Sequence, residues 1–265
     1  MSTGTPVWRL VISGPVRGAM NMALDRAVLH GHVEGSSPPT LRLYEWEVPT
    51  VTLGRFQPLE QVDLAACERR GFDVARRPTG GRGVLHDDEL TYSVVAGVRE
   101  GVPRGVAASY RHLSAALAEA YRTLGVGAEL TARARGRAGA GACYLHATPA
   151  DLSLGAAKLS GSAQVWKDDA VLQHGCFVVT RDVAAEAEVF RLDPEGREEL
   201  ARTTATLTEA LGSAPSLERI AEAVAAAFAS VLDIRLEPGE LSARERERAA
   251  SYVADHAVHE APREV

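Results

Sequence analysis

The chain has 265 residues, 46% of them hydrophobic and 24% charged, the balance of a soluble globular protein long enough to bury a sizeable core. Its net charge of −6 argues against nucleic-acid binding except through a local basic patch. The start, MSTGTPVWRLVISG, has no charged segment leading into a long apolar run, and no later stretch is apolar enough to span a bilayer. The three cysteines, Cys67, Cys143 and Cys176, lack paired spacing, so the expectation is a cytoplasmic protein with no disulfide framework and no metal site.

Met20, Ala23, Leu24, Ala27 and Val28 recur at helical spacing and predict a helix over 18–31. Residues 41–48 and 50–54, rich in β-branched and aromatic side chains, read as strands broken at Pro49. A short helix over 61–71 ends at Gly71, and 72–76 alternates as a strand. After a glycine-rich turn, 83–86 and 90–98 read as a strand pair. The apolar stripe Val106, Tyr110, Leu113, Leu117, Ala120, Tyr121 and Leu124 predicts a helix stopped by Gly125. Residues 131–143, rich in glycine and arginine, read as a mobile loop, and loops of that length usually serve function. Segments 150–154, 158–166 and 170–179 read as an antiparallel meander. From Val183 the pattern turns helical, with Ser216 as a cap and Ser242 and Glu245 as a capping box. The expected class is mixed α/β: one domain over 1–265, central mixed sheets with flanking helices, and 184–265 as a helical C-terminal cap.

Two clusters carry candidate chemistry. The first is RRPTGGRGVLH, Arg76 to His86. Its paired glycines permit positive φ and close backbone approach to a ligand, and its arginines suit an anion. The same residues also read as a hairpin turn with solvated arginines. The second is Cys143, Lys158 in KLSGSAQ and His174 in QHG. A thiol attacks as thiolate, and a nearby ammonium favours that form. Each of the three also reads as an ordinary packed or solvated residue. Cys67 and Cys176 sit among apolar neighbours and read as packing, with Cys176 the second candidate nucleophile.

GAMNMALD, LRLYEWEVPTVTLGRFQ, RRPTGGRGVLHDDELTYSV, KLSGSAQ and QHG, in this order, resemble the biotin/lipoate protein ligase catalytic family over roughly Trp8 to Asp255. Within it the chain is most similar to the octanoyltransferases built on the lipoate-protein ligase A scaffold. HDDELTYSV looks like their version of a motif in which ATP-dependent ligases follow histidine–aspartate with glycine–asparagine. Cys143 stands 15 positions before Lys158 and precedes an aromatic residue, similar to their acyl-enzyme cysteine. The expectation is also that no accessory domain follows the helical tail.

The resemblance implies the biotin/lipoate ligase-like fold, no cofactor and no metal. It implies an octanoyl group passing from octanoyl-acyl carrier protein to a lysine of a lipoyl-carrier protein, either the glycine cleavage H protein or a lipoyl domain of a 2-oxoacid dehydrogenase. Cys143 would carry the acyl group, and Lys158 would favour its thiolate and orient the acyl carbonyl. Arg77, Thr79, Gly80, Gly81 and His86 would line the acyl or carrier-arm site. Gly161, Ser162, Ala163, His174 and Gly175 would line the same pocket. Three rivals stay open: an ATP- and magnesium-dependent lipoate ligase that does not need Cys143, an amidotransferase taking an amide-linked donor from another carrier, and a non-catalytic binder.

Overall fold

The periodicities of the first half of the chain become regular elements in the computed structural model, which describes residues 5–131, 135–136, 141–148 and 151–262. In chain order these are β1 (Val7–Val16), α1 (Gly18–Val33), β2 (Thr40–Trp46), β3 (Thr50–Leu53), α2 (Leu64–Arg70), β4 (Asp73–Arg76), β5 (Val84–His86), β6 (Glu89–Gly97) and α3 (Val106–Leu124). Asp63 caps α2 by accepting from the Ala66 amide, and Gly71, at φ 70°, ends it. Next come β7 (Glu129–Leu130), β8 (Arg135–Gly136), a 3-10 turn (Cys143–Leu145), β9 (His146–Ala147), β10 (Leu152–Leu154), β11 (Ala157–Ser160), β12 (Ser162–Lys167) and β13 (Ala170–Val178). The C-terminal third holds α4 (Val183–Val189), α5 (Pro194–Thr203), α6 (Leu207–Leu211), α7 (Leu217–Val231), β14 (Arg235–Pro238), α8 (Ala243–His256) and β15 (Ala257–His259). None of the described helices is long and apolar enough to cross a membrane.

A six-stranded mixed sheet runs β12-β13-β6-β2-β1-β14, and a four-stranded one runs β15-β4-β3-β5. The larger sheet is covered on both faces, which explains why β6 is buried at every position. Tyr92, Val94 and Ala96 face a core built with Leu113, Leu117 and Tyr121 of α3 and Val224 and Phe228 of α7. Val95 faces the other way, toward Ala23, Ala27 and Val28 of α1 and Ala249 of α8. This is the period-two alternation of a strand, with an apolar residue on each face. A third core joins Val51, Leu53 and Val74 of the smaller sheet to Tyr144, Leu145, Val189 and Phe190, and so pins the turn that bears Cys143.

Three expectations change. Residues 83–86 and 90–98 do not pair with each other: β5 pairs with β3, while β6 lies between β13 and β2 in the other sheet. Segment 158–166 is not one strand. It breaks at Gly161 into β11, which pairs with β10, and β12, which pairs with β13, so the meander spans two sheets. The tail read as helical also supplies two edge strands, β14 parallel to β1 and β15 antiparallel to β4. Both are held by backbone pairing at an edge, and β14 is mostly exposed, so neither leaves an apolar alternation in the sequence. The loop expected at 131–143 falls largely on 132–134 and 137–140, outside the described residues.

Candidate active site

Cys143 opens its 3-10 turn with its backbone tied to the glycine-rich segment: its amide donates to Gly83 O at 2.7 Å, and the Gly83 amide donates to Gly141 O at 2.9 Å. Lys158 approaches from β11. That strand is held on its outer side by the Ala205 amide, which donates to Lys158 O. The ammonium is 3.6 Å from Cys143 Sγ, and it donates to His146 O at 2.7 Å and more distantly to Cys143 O at 3.3 Å. Gly161 makes this approach possible, because a Cβ there would stand 3.2 Å from both Cε and Nζ of Lys158.

Lys158 is 1% exposed, and a cation so deeply buried needs an anion. Asp151 is that anion, with Oδ2 3.0 Å from Nζ. Asp151 is itself fixed by the Thr148 amide at 2.7 Å. Burial opposes the Lys158 charge, but Cys143 and Asp151 outweigh it and hold the Lys158 pKa above its ordinary value. Asp151 escaped the sequence reading. Its only signal there is one acid inside the short apolar alternation ADLSL.

Next to this pair lies a partly open cavity. Met22, Tyr44, Trp46 and Val84 give it apolar wall. Cys143, Arg77, Gly81, His86, Gly161, Ser162, Ala163, His174 and Gly175 also line it. Thr79 and Gly80 do not: Thr79 stands behind His174, and Gly80 uses its carbonyl to accept from Arg77 at 2.8 Å.

Arg77 is also not free for an anion. Its guanidinium donates to the carbonyls of Gly80 and Arg82 and, at 3.3 Å, to Thr52, and so clamps the turn. Gly81, at φ 95°, passes so close that a Cβ would meet Arg77 Nη2 at 2.8 Å. The arginine therefore shapes the loop by spending its donors on backbone oxygens.

Two parallel chains of carboxylate, imidazole and threonine fix the cavity histidines. His174 Nδ1 lies 3.1 Å from Asp25 Oδ2, and its Nε2 lies 2.7 Å from Thr79 Oγ1. An ionised carboxylate only accepts, so Nδ1–H donates to Asp25 and the threonine hydroxyl donates to Nε2. His86 repeats the pattern with Glu89 at 2.7 Å and Thr52 at 2.9 Å, and stacks on Trp46 at 4.2 Å. Burial opposes the charge of Asp25 and Glu89, but their bonded partners outweigh it and hold both pKa values below the usual carboxylate value. Burial pushes the His174 pKa down, which keeps the ring neutral. Asp25 and Asn21 were missed as site residues. The signal was two polar residues four apart on the buried face of α1, where both now bond Arg42.

Cys67 and Cys176 are buried, and burial raises both thiol pKa values, to about 11 for Cys67. Cys143 is the partly exposed cysteine, with the Lys158 ammonium 3.6 Å from its sulfur.

Residues 17–229 match the model of the lipoyl protein ligase A/B catalytic domain. The chain belongs to that family. Within the family it is 42% identical to the octanoyltransferase LipM of Kyrpidia tusciae, covering 94% of this chain and 97% of the relative. It is 41% identical to the octanoyltransferase LipM of Symbiobacterium thermophilum, covering 93% and 94%. Among solved structures it is similar to a lipoate-protein ligase A bound with ATP, with a TM-score of 0.77, 26% identity, and coverage of 93% of this chain and 94% of that one. The fold is thus the lipoate ligase-like one expected from the sequence, and the chain is an acyltransferase.

Proposed function

We propose that this acyltransferase moves an octanoyl group from octanoyl-acyl carrier protein to a lysine of a lipoyl-carrier protein, through a thioester on Cys143. The observation that carries the reading is the Lys158 ammonium 3.6 Å from the Cys143 sulfur, at the wall of a partly apolar cavity. A ligase working through an acyl-adenylate has no use for a cysteine at that place. The names of the two relatives, both octanoyltransferases, support the choice of acyl group.

The Cys143 thiolate attacks the donor carbonyl, the bond from carbon to the carrier sulfur breaks, and the carrier leaves as its thiolate, which takes up from solvent the proton that Cys143 gave up. The acceptor lysine, as free amine, then attacks the enzyme thioester. The bond to Cys143 breaks, an amide forms, and the amine proton restores the thiol. Both steps pair a good nucleophile with a good leaving group, and the thioester already stores the energy. Lys158 and backbone donors near Gly161 to Ala163 stabilise the tetrahedral oxygen. The apolar wall holds the acyl chain at about 0.8 kcal/mol per buried CH2. The free thiols of Cys67, Cys143 and Cys176 fit a reducing cytoplasm.

The test offers three donors to the purified enzyme with an acceptor domain: octanoyl-acyl carrier protein without ATP, octanoate with ATP and magnesium, and an octanoylated lipoyl-carrier protein. Transfer from the first alone is the expected result. Transfer only with ATP identifies a ligase, and transfer from the third identifies an amidotransferase.

A further inference from the structure

Arg77 is a shared wall: it lines the acyl cavity on one side and, on the other, a surface groove of about 1140 Å³. The groove carries Arg26, Arg55, Arg76 and Lys167 against one carboxylate, Asp255, which Arg26 already engages at 2.7 Å. Arg76 is fixed by the carbonyls of Gly54 and Gln57, both at 2.8 Å, rather than by a carboxylate. Arg55 and Lys167 are exposed and have no acidic partner among the described residues. His30 and His256 also face the groove, and burial lowers the pKa of each, so they add no charge at neutral pH. The segment bearing Arg55 rides on the glycine-rich turn, its amide donating to Thr79 O at 2.8 Å, and it presents Phe56 83% exposed beside the guanidinium.

A chain of net charge −6 thus gathers positive charge in a groove that shares Arg77 with its acyl site. We infer that this groove docks the carrier protein of the acyl donor, an acidic protein whose acyl group hangs from a phosphodiester-linked arm. The inference rests on the function proposed above and names how its donor is recognised. A negative carrier is opposed by the net charge of the chain and attracted here, which sets both encounter rate and orientation. Guanidinium groups suit the phosphodiester of the arm as it crosses the rim toward Cys143. The exposed Phe56 adds the kind of aromatic contact that anchors interfaces. The acceptor is the poorer fit, because it must bring a lysine, whose charge these same cations oppose.

The test is the double variant Arg55→Glu, Lys167→Glu, two exposed side chains outside the acyl cavity. The rate at which Cys143 becomes octanoylated is followed against the concentration of octanoyl-acyl carrier protein and, separately, of octanoyl-N-acetylcysteamine, a donor with no carrier. For the carrier-bound donor, KM rises about tenfold or more with kcat unchanged, and its dependence on salt flattens. The rate with the small donor stays at the wild-type value. An unchanged KM, an equal loss with both donors, or a rise confined to the KM of the acceptor domain overturns the assignment. Wild-type enzyme that neither thioester acylates overturns the functional reading instead, and the docking role with it.

Discussion

Cys143→Ser lowers octanoyl transfer by about a thousandfold or more while the fold stays intact. Serine keeps the shape of the side chain, and its neighbours Tyr144 and Leu145 keep the turn packed in the core. What it removes is the ionisable sulfur beside Lys158 Nζ. A hydroxyl does not ionise under an ammonium near neutral pH, so the attacking anion is lost, which is why the loss reaches about three orders of magnitude. Urea unfolding should differ from wild type by no more than about 0.5 kcal/mol, so a dead variant cannot be dismissed as misfolded. Cys176 offers no rescue, since it is buried and its thiol pKa is raised well above the ordinary value by that burial. Full transfer by Cys143→Ser removes the cysteine from the mechanism.

Lys158→Ala produces two separable losses, one in rate and one in stability. The rate falls because the cation next to the sulfur is gone. Acylation slows about a hundredfold or more. The stability loss has another origin. Removing the ammonium strands the Asp151 carboxylate in a buried position, which costs about 3–5 kcal/mol. In pH terms, the raised Lys158 pKa contributes stability below the ordinary lysine pKa, and that contribution is lost as pH rises through the folded-state value. Adding Asp151→Asn removes the stranded charge. The double variant should therefore regain most of the urea stability and none of the rate. Recovery of rate together with stability would make Lys158 a structural residue only.

The elements that stood out in the sequence are those with a packed face of their own. Val106–Leu124 emerges with the predicted ends, because its stripe buries against α7 and glycines flank it at both ends. Edge strands escaped notice. β14 and β15 are short, poorly buried and held by backbone bonds that any residue can make. At the site, Cys143, Lys158 and the glycine-rich turn were legible because reactive and conformationally special residues are uncommon and sit in an ordered set of motifs. Their partners were not. Asp151, Asp25 and Glu89 matter through what they touch across 7, 149 and 3 positions of chain, and an acid in a strand or helix looks the same whether it faces water or a buried lysine. What Arg77 does with its charge was hidden for a related reason. Sequence shows that a guanidinium is present, and only the fold shows that its donors are spent on the carbonyls of its own loop.

The most direct test of the central claim is intact-mass spectrometry of the enzyme after incubation with octanoyl-acyl carrier protein in the absence of ATP. The account predicts one added octanoyl group on the peptide that holds Cys143, released by hydroxylamine and discharged when a lipoyl-carrier domain is added. An enzyme that transfers the acyl group under these conditions without ever carrying it on Cys143 contradicts the account.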